Sequence, residues 1–123
     1  MSSGTDDPLK IYKEGASLYD SGKFDEALDK FLQAYKLYEK LGNFFDASYS
    51  LFKAAECSYL VHDYKTAIDR FIQAADISFK NGYDRFGLGA LEYAYDGYKA
   101  AGEEDKTGDL KKKISDLKEK LLV

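Results

Sequence analysis

At 123 residues, with 45% of them hydrophobic and 33% charged, the chain has material for one domain with a real core and too little for two ordinary ones. Its net charge of −4 counts against nucleic acid, which calls for a positive face, and the lone Cys57 excludes an internal disulfide. No run nears the roughly 18 apolar residues of a membrane span, and Met1 to Asp7 lacks the basic-then-apolar order of an export signal, so a reducing cytoplasm is the expected compartment.

A single proline, Pro8, leaves nearly the whole chain free to be helical. It follows Asp7, so an acceptor side chain precedes a residue that lacks an N–H, and a first helix is expected near 8–21. Gly22 then provides a stop. Over 24–41 the residues Ala27, Leu28, Phe31, Ala34, Tyr35 and Tyr38 recur at the three-four spacing of one helical face. Gly42 ends that stretch, and Asn43 with Asp46 opens a third helix near 44–61. Asp63 with Thr66 opens a fourth near 64–81, stopped by Gly82, and Asp84 opens a fifth near 85–101, stopped by Gly102. A sixth helix near 105–122 carries Leu110, Ile114, Leu117 and Leu121 on one stripe, with most of its lysines elsewhere.

The chain repeats itself with a period of forty. Laid over FDEALDKFLQAYKLYEKLGN (24–43), the segment YKTAIDRFIQAADISFKNGY (64–83) is identical at seven of twenty positions, among them Ala27/Ala67, Phe31/Phe71 and Ala34/Ala74. Upstream, Gly15 lies over Ala55 and Tyr19 over Tyr59. Periods of this size belong to stacked supersecondary units. A third copy is degenerate: Leu91 and Ala94 continue the pattern, but Thr107, Lys111 and Ile114 stand where Ala, Phe and Ala should recur. The lysine-rich face of the last helix suits a solenoid cap. Pairing of its stripe with a second copy is the alternative, and fewer than two heptads is short for that.

The spacing Gly15…Ala27-x3-Phe31-x2-Ala34, repeated as Ala55…Ala67-x3-Phe71-x2-Ala74, resembles the tetratricopeptide repeat signature. Ile11, Glu14 and Leu18 stand where that family places Trp, Leu and Tyr, and its closing proline is missing. The family's usual period is about 34, so a period of forty lengthens each helix by about a turn. Long repeats of this kind are similar to those of the soluble NSF attachment proteins, above all in SYSLFKAAECSYLVHDYKTAIDRFIQAAD. The resemblance implies an all-α fold: a right-handed α-solenoid of three helix–turn–helix units, six helices with the last a cap. As a single domain it divides into repeat 1 at 8–41, repeat 2 at 44–81, and a degenerate repeat 3 with cap at 85–122.

Chemistry is thin. His62 falls in an expected turn without a readable base or co-ligand, and Cys57 lies inside a helix among small residues, as a packing thiol would. Gly87, Gly89 and Gly97 follow no strand, so they are not a phosphate cradle. They are read either as sites of close helix approach or as a softened helix. No catalytic residue, cofactor or metal is expected.

What the resemblance implies instead is a groove along the first helix of each unit that receives a peptide or helix of another protein. Matching positions are Tyr12, Ala16 and Tyr19; Tyr49, Phe52, Lys53, Glu56 and Tyr59; and Gly89, Glu92, Asp96 and Lys99. These same rings could instead pack between helices. A carboxylate clamp of the kind that holds chaperone C-termini is excluded, because its positions carry Tyr12, Ala16, Lys53, Gly89 and Tyr93, of which only Lys53 is basic. The expected role is an adaptor, with no nucleic acid and no membrane span, acting as a monomer or weak homo-oligomer. A self-associating scaffold and a trafficking adaptor of the attachment-protein type are the alternatives.

Overall fold

The computed structural model describes residues 7–121, and all regular structure among them is helical. In chain order these are α1 (Pro8–Asp20), α2 (Phe24–Lys40), α3 (Phe44–Leu60), α4 (Tyr64–Lys80), α5 (Asp84–Ala100), a 3-10 turn (Glu104–Lys106) and α6 (Gly108–Lys120). Each helix packs on its sequence neighbours in succession, the arrangement of a helical solenoid. Packing of α6 on α5 is much sparser than in the earlier pairs.

Helix openings follow the sequence in part. The Asp7 carboxylate accepts from the N–H groups of Leu9 and Lys10 at 3.0 and 3.4 Å, with Pro8 at the first helical position. Asp63 accepts from the Thr66 N–H at 3.4 Å. Asn43 makes no such bond, and Asp84 is itself the first residue of α5, preceded by Tyr83 as the cap residue.

The stops are uniform. A left-handed residue stands every twenty positions, at Gly22, Gly42, His62, Gly82 and Gly102. The following N–H, from Lys23, Asn43, Asp63, Tyr83 and Glu103, reaches back to the carbonyl five residues earlier at 2.8–2.9 Å. That bond satisfies a carbonyl that the helix end would otherwise leave unpaired. Because the half-turn residue lies outside each helix, α1 to α5 each end one residue before the expected boundary.

The sixth helix starts at Gly108 and not near residue 105. Thr107, buried in the seam, donates its hydroxyl to the Glu104 carbonyl at 2.6 Å, closing a separate short turn before the helix begins.

The repeat signature is a packing device. Ala27, Ala34, Ala67 and Ala74 are fully buried, and Phe31 and Phe71 lie beside them in the core. A Cβ added at Gly15 would come within 3.0 Å of the Phe31 ring, which is why a small residue stands there. Gly87 and Gly97 work the same way: a Cβ would meet Phe79 at 2.6 Å and Ile68 at 2.7 Å. Two of the three glycines inside α5 are therefore sites of close approach, while Gly89 faces open space. Leu51, Ala75, Ala90 and Leu91 form the cluster on which Ile114 seats the last helix.

Candidate functional site

Side chains of α1, α3 and α5 share one face, and aromatic rings run along it. Tyr12 lies 6.1 Å from Tyr49, Tyr49 lies 6.2 Å from Phe52, and Phe52 lies 4.8 Å from Tyr93, all between centroids. Phe86 joins both Tyr49 and Phe52, at 5.8 and 5.4 Å. These are the edge-on and offset distances at which ring pairs attract. Beneath the surface rings lie Phe31, 5.2 Å from Tyr12, and Phe71, 5.3 Å from both Phe52 and Tyr93. The aromatic face is thus the outer layer of the core.

Two recesses open on this face. The first, of about 310 Å³, is lined by Tyr19, Glu56, Tyr59, Phe71, Tyr93 and Asp96, with Leu60 at its edge. The second, of about 330 Å³, lies toward the other end of α3 and is bounded by Tyr12 and Tyr49 from the expected set. Beside the first sits Lys53. Its ammonium is 4.0 Å above the Tyr19 ring and 2.8 Å from a Glu56 carboxylate oxygen. Burial works against that charge, but the hydrogen bond and charge of Glu56 outweigh it and hold the ammonium above its ordinary pKa. Burial, followed by the neighbouring Tyr49, pushes the Tyr12 phenol far up, and burial followed by the Glu56 carboxylate raises that of Tyr19. These phenols stay neutral donors across the physiological range.

Of the residues expected from sequence, Tyr12, Tyr19, Tyr49, Phe52, Lys53, Glu56, Tyr59 and Asp96 come together on this face. Ala16 packs inward against the cluster of Ala27, Phe31, Ala54 and Cys57. Glu92 is turned to α6, where its carboxylate pairs with Lys118 at 3.0 Å. Lys99 lies away from the recesses, 5.6 Å over the Tyr95 ring. Phe45, Phe86 and Tyr93 belong to the face and were not among the expected residues. A signal for the two on α5 was present: Phe86, Gly89, Tyr93 and Asp96 follow the three-four spacing of one stripe.

Elsewhere, Cys57 is buried, and that burial lifts its thiol pKa to about 11, as expected of a packing residue. Among the described residues, no cluster of three or more His, Cys, Asp or Glu side chains has the geometry to hold a metal ion. No helix among them is long and apolar enough to cross a membrane.

A family model described as soluble NSF attachment protein, SNAP, matches residues 7–122, nearly the whole chain. The chain belongs to the soluble NSF attachment protein family. Comparison with curated proteins and with solved structures gives no match. Family membership accords with the length of the repeats, and the matched span takes in the aromatic face from α1 to α5.

Proposed function

We propose that this chain is a protein–protein adaptor that docks a peptide or helix of a partner along the aromatic face of α1, α3 and α5, with residues 8–41, 44–81 and 85–122 as its three stacked units. The observation that carries the reading is the unbroken series of ring contacts from Tyr12 through Tyr49 and Phe52 to Tyr93, in which Tyr49 and Tyr93 remain more than a third exposed. Rings of this kind bury large area at little entropic cost and keep a polar tip, which is why they dominate binding hot spots. A helix laid into such a face would place anchors at spacings of three, four and seven.

Charge shapes the expected guest. Lys53 is already paired with Glu56, so Asp96 in the first recess and Asp46 in the second leave the face acidic. A guest with apolar or aromatic anchors and some basic residues suits it. Membership of an attachment-protein family supports a protein-binding role over a catalytic one, and within it a trafficking adaptor working in the cytoplasm.

The test is capture of a partner by the tagged protein, followed by titration of the isolated partner segment. Combined Tyr12→Ala, Tyr49→Ala and Phe52→Ala should weaken binding by about 100-fold, or about 3 kcal/mol. Because Tyr12 and Phe52 also touch the core, the single variants Tyr49→Ala and Tyr93→Ala, both at exposed rings, separate lost binding from lost folding. Unchanged affinity in all three proteins would reject the groove.

A further inference from the structure

The second recess has a composition that docking of an apolar helix does not call for. Tyr12, Tyr38, Phe45, Tyr49 and Phe86 surround it, and one carboxylate, Asp46, stands among them. Leu9 also lines it, and no Lys or Arg is among the lining residues. Asp46 has no ion-pair partner among the described residues, unlike the acids at Glu14, Glu56, Glu92, Glu103 and Asp116. Ser50 also lines the recess. Its hydroxyl oxygen is fully buried and has no hydrogen-bond partner among the described residues. An orphaned polar atom of that kind is costly until something meets it.

Four of the five rings are already interlocked. Phe45 and Tyr49 lie nearly parallel, with 8° between their planes, and Phe86 is tilted against both at 5.7 and 5.8 Å. Tyr12 completes the wall at 6.1 Å from Tyr49. Ring faces carry negative potential, so several of them around one hollow attract a cation, the more so when a carboxylate stands beside it. Burial, and after it the carboxylates of Asp46 and Asp7, raise the Tyr38 phenol, which therefore stays neutral beside them. A neutral apolar anchor would bury Asp46 without compensation, and that is costly.

We infer that the recess of Tyr12, Tyr38, Phe45, Tyr49, Phe86 and Asp46 is a cage for one cationic side chain, arginine or lysine, carried by the polypeptide that docks on the aromatic face. The cation stacks on the rings, pairs with Asp46 and supplies the Ser50 oxygen with a donor. This rests on the groove reading for its source of cation, while the cage itself is testable without any partner.

The probe is N-acetyl-arginine N-methylamide, titrated into the full chain and followed by the NMR resonances of the recess rings, with the neutral isostere N-acetyl-citrulline N-methylamide as control. Saturable shifts centred on Tyr12, Tyr49 and Phe86 are expected, with the citrulline compound at least about tenfold weaker. Asp46→Asn, at an exposed position, should weaken the arginine probe about fivefold, and Ser50→Ala should weaken it by less. Equal binding of the two probes, shifts centred elsewhere, or no saturation by the arginine probe each overturns the cage. With a partner segment in hand, replacing its arginines and lysines by glutamine provides a second arm. Full affinity after that change overturns the cage and leaves the groove standing. A probe that binds the cage beside a partner indifferent to Tyr49→Ala and Tyr93→Ala does the reverse.

Discussion

The hairpins α3–α4 and α5–α6 occupy the same register forty residues apart, yet they are built to different standards. In the first, Ala67, Phe71 and Ala74 are all buried, and the Phe71 ring is keyed between Phe52 of α3 and Tyr93 of α5. In the second, Thr107 and Ile114 still face inward, but the central position is Lys111, exposed to solvent. Small or modest side chains at the flanking positions are enough to seat a helix on its own hairpin partner. The central ring, by contrast, locks one hairpin to the next, and in α4 it also forms a wall of the first recess. Where that ring is replaced by a charge, the helix packs sparsely, and Lys118 reaches across to Glu92 of α5.

Truncating the central position should affect the two hairpins very differently. Phe71→Ala removes a ring that is 1% exposed and touches rings from two helices. It should cost about 3–5 kcal/mol, a large share of the stability of any small domain. Lys111→Ala, at the equivalent position, should change stability by no more than about 0.5 kcal/mol. Urea unfolding midpoints measure both, and similar losses would mean that α6 is locked in as firmly as α4.

The glycines of α5 sharpen the same contrast within one helix, with a smaller effect. Gly87→Ala and Gly97→Ala push a methyl group into Phe79 and Ile68 of α4, and each should destabilise by about 1–3 kcal/mol. Gly89→Ala meets nothing within 4 Å and should stabilise by about 0.5–1 kcal/mol through helix propensity alone. Opposite signs in thermal unfolding confirm that α5 is fitted closely on its α4 side and open on the side of the aromatic face. A common sign would mean that packing does not decide these positions.

The architecture was readable because its devices are local. Four turn glycines at spacings of twenty and forty, and identical residues at seven of twenty aligned positions, fix helix number and order without any knowledge of contacts. The face was readable only in part. Tyr12, Tyr49 and Phe52 follow from position along α1 and α3, but on α5 the choice between Glu92 and Tyr93 is a matter of about 100° of helix rotation. Nothing in the repeat decides it, since Phe52 and Lys53 stand forty residues before them. The rotation is set by contacts of high sequence separation: Lys118 takes Glu92, and Phe52 and Phe71 take Tyr93. The repeat gives no help with Phe86 either, because its counterpart forty residues earlier is Asp46, and only the stripe on α5 itself marks it.

A smaller effect lies in the turns inside the two hairpins. His62 holds a φ of 66° in the slot that glycine fills at every other turn, while Gly102 occupies that slot between α5 and the last hairpin helix. For a residue with a Cβ, the left-handed conformation costs about 1–2 kcal/mol. Part of the gain from His62→Gly is returned, because glycine has more freedom to lose on folding. The imidazole also lies 5.7 Å from the Tyr64 ring, a contact worth about 0.5 kcal/mol. The strain is the largest of these, so His62→Gly should stabilise by about 0.5 kcal/mol, and Gly102→Ala should destabilise by about 1 kcal/mol. A melting temperature that falls on His62→Gly would show that the ring contact outweighs the strain, and that the tightly keyed hairpin extends its aromatic packing into its own turn.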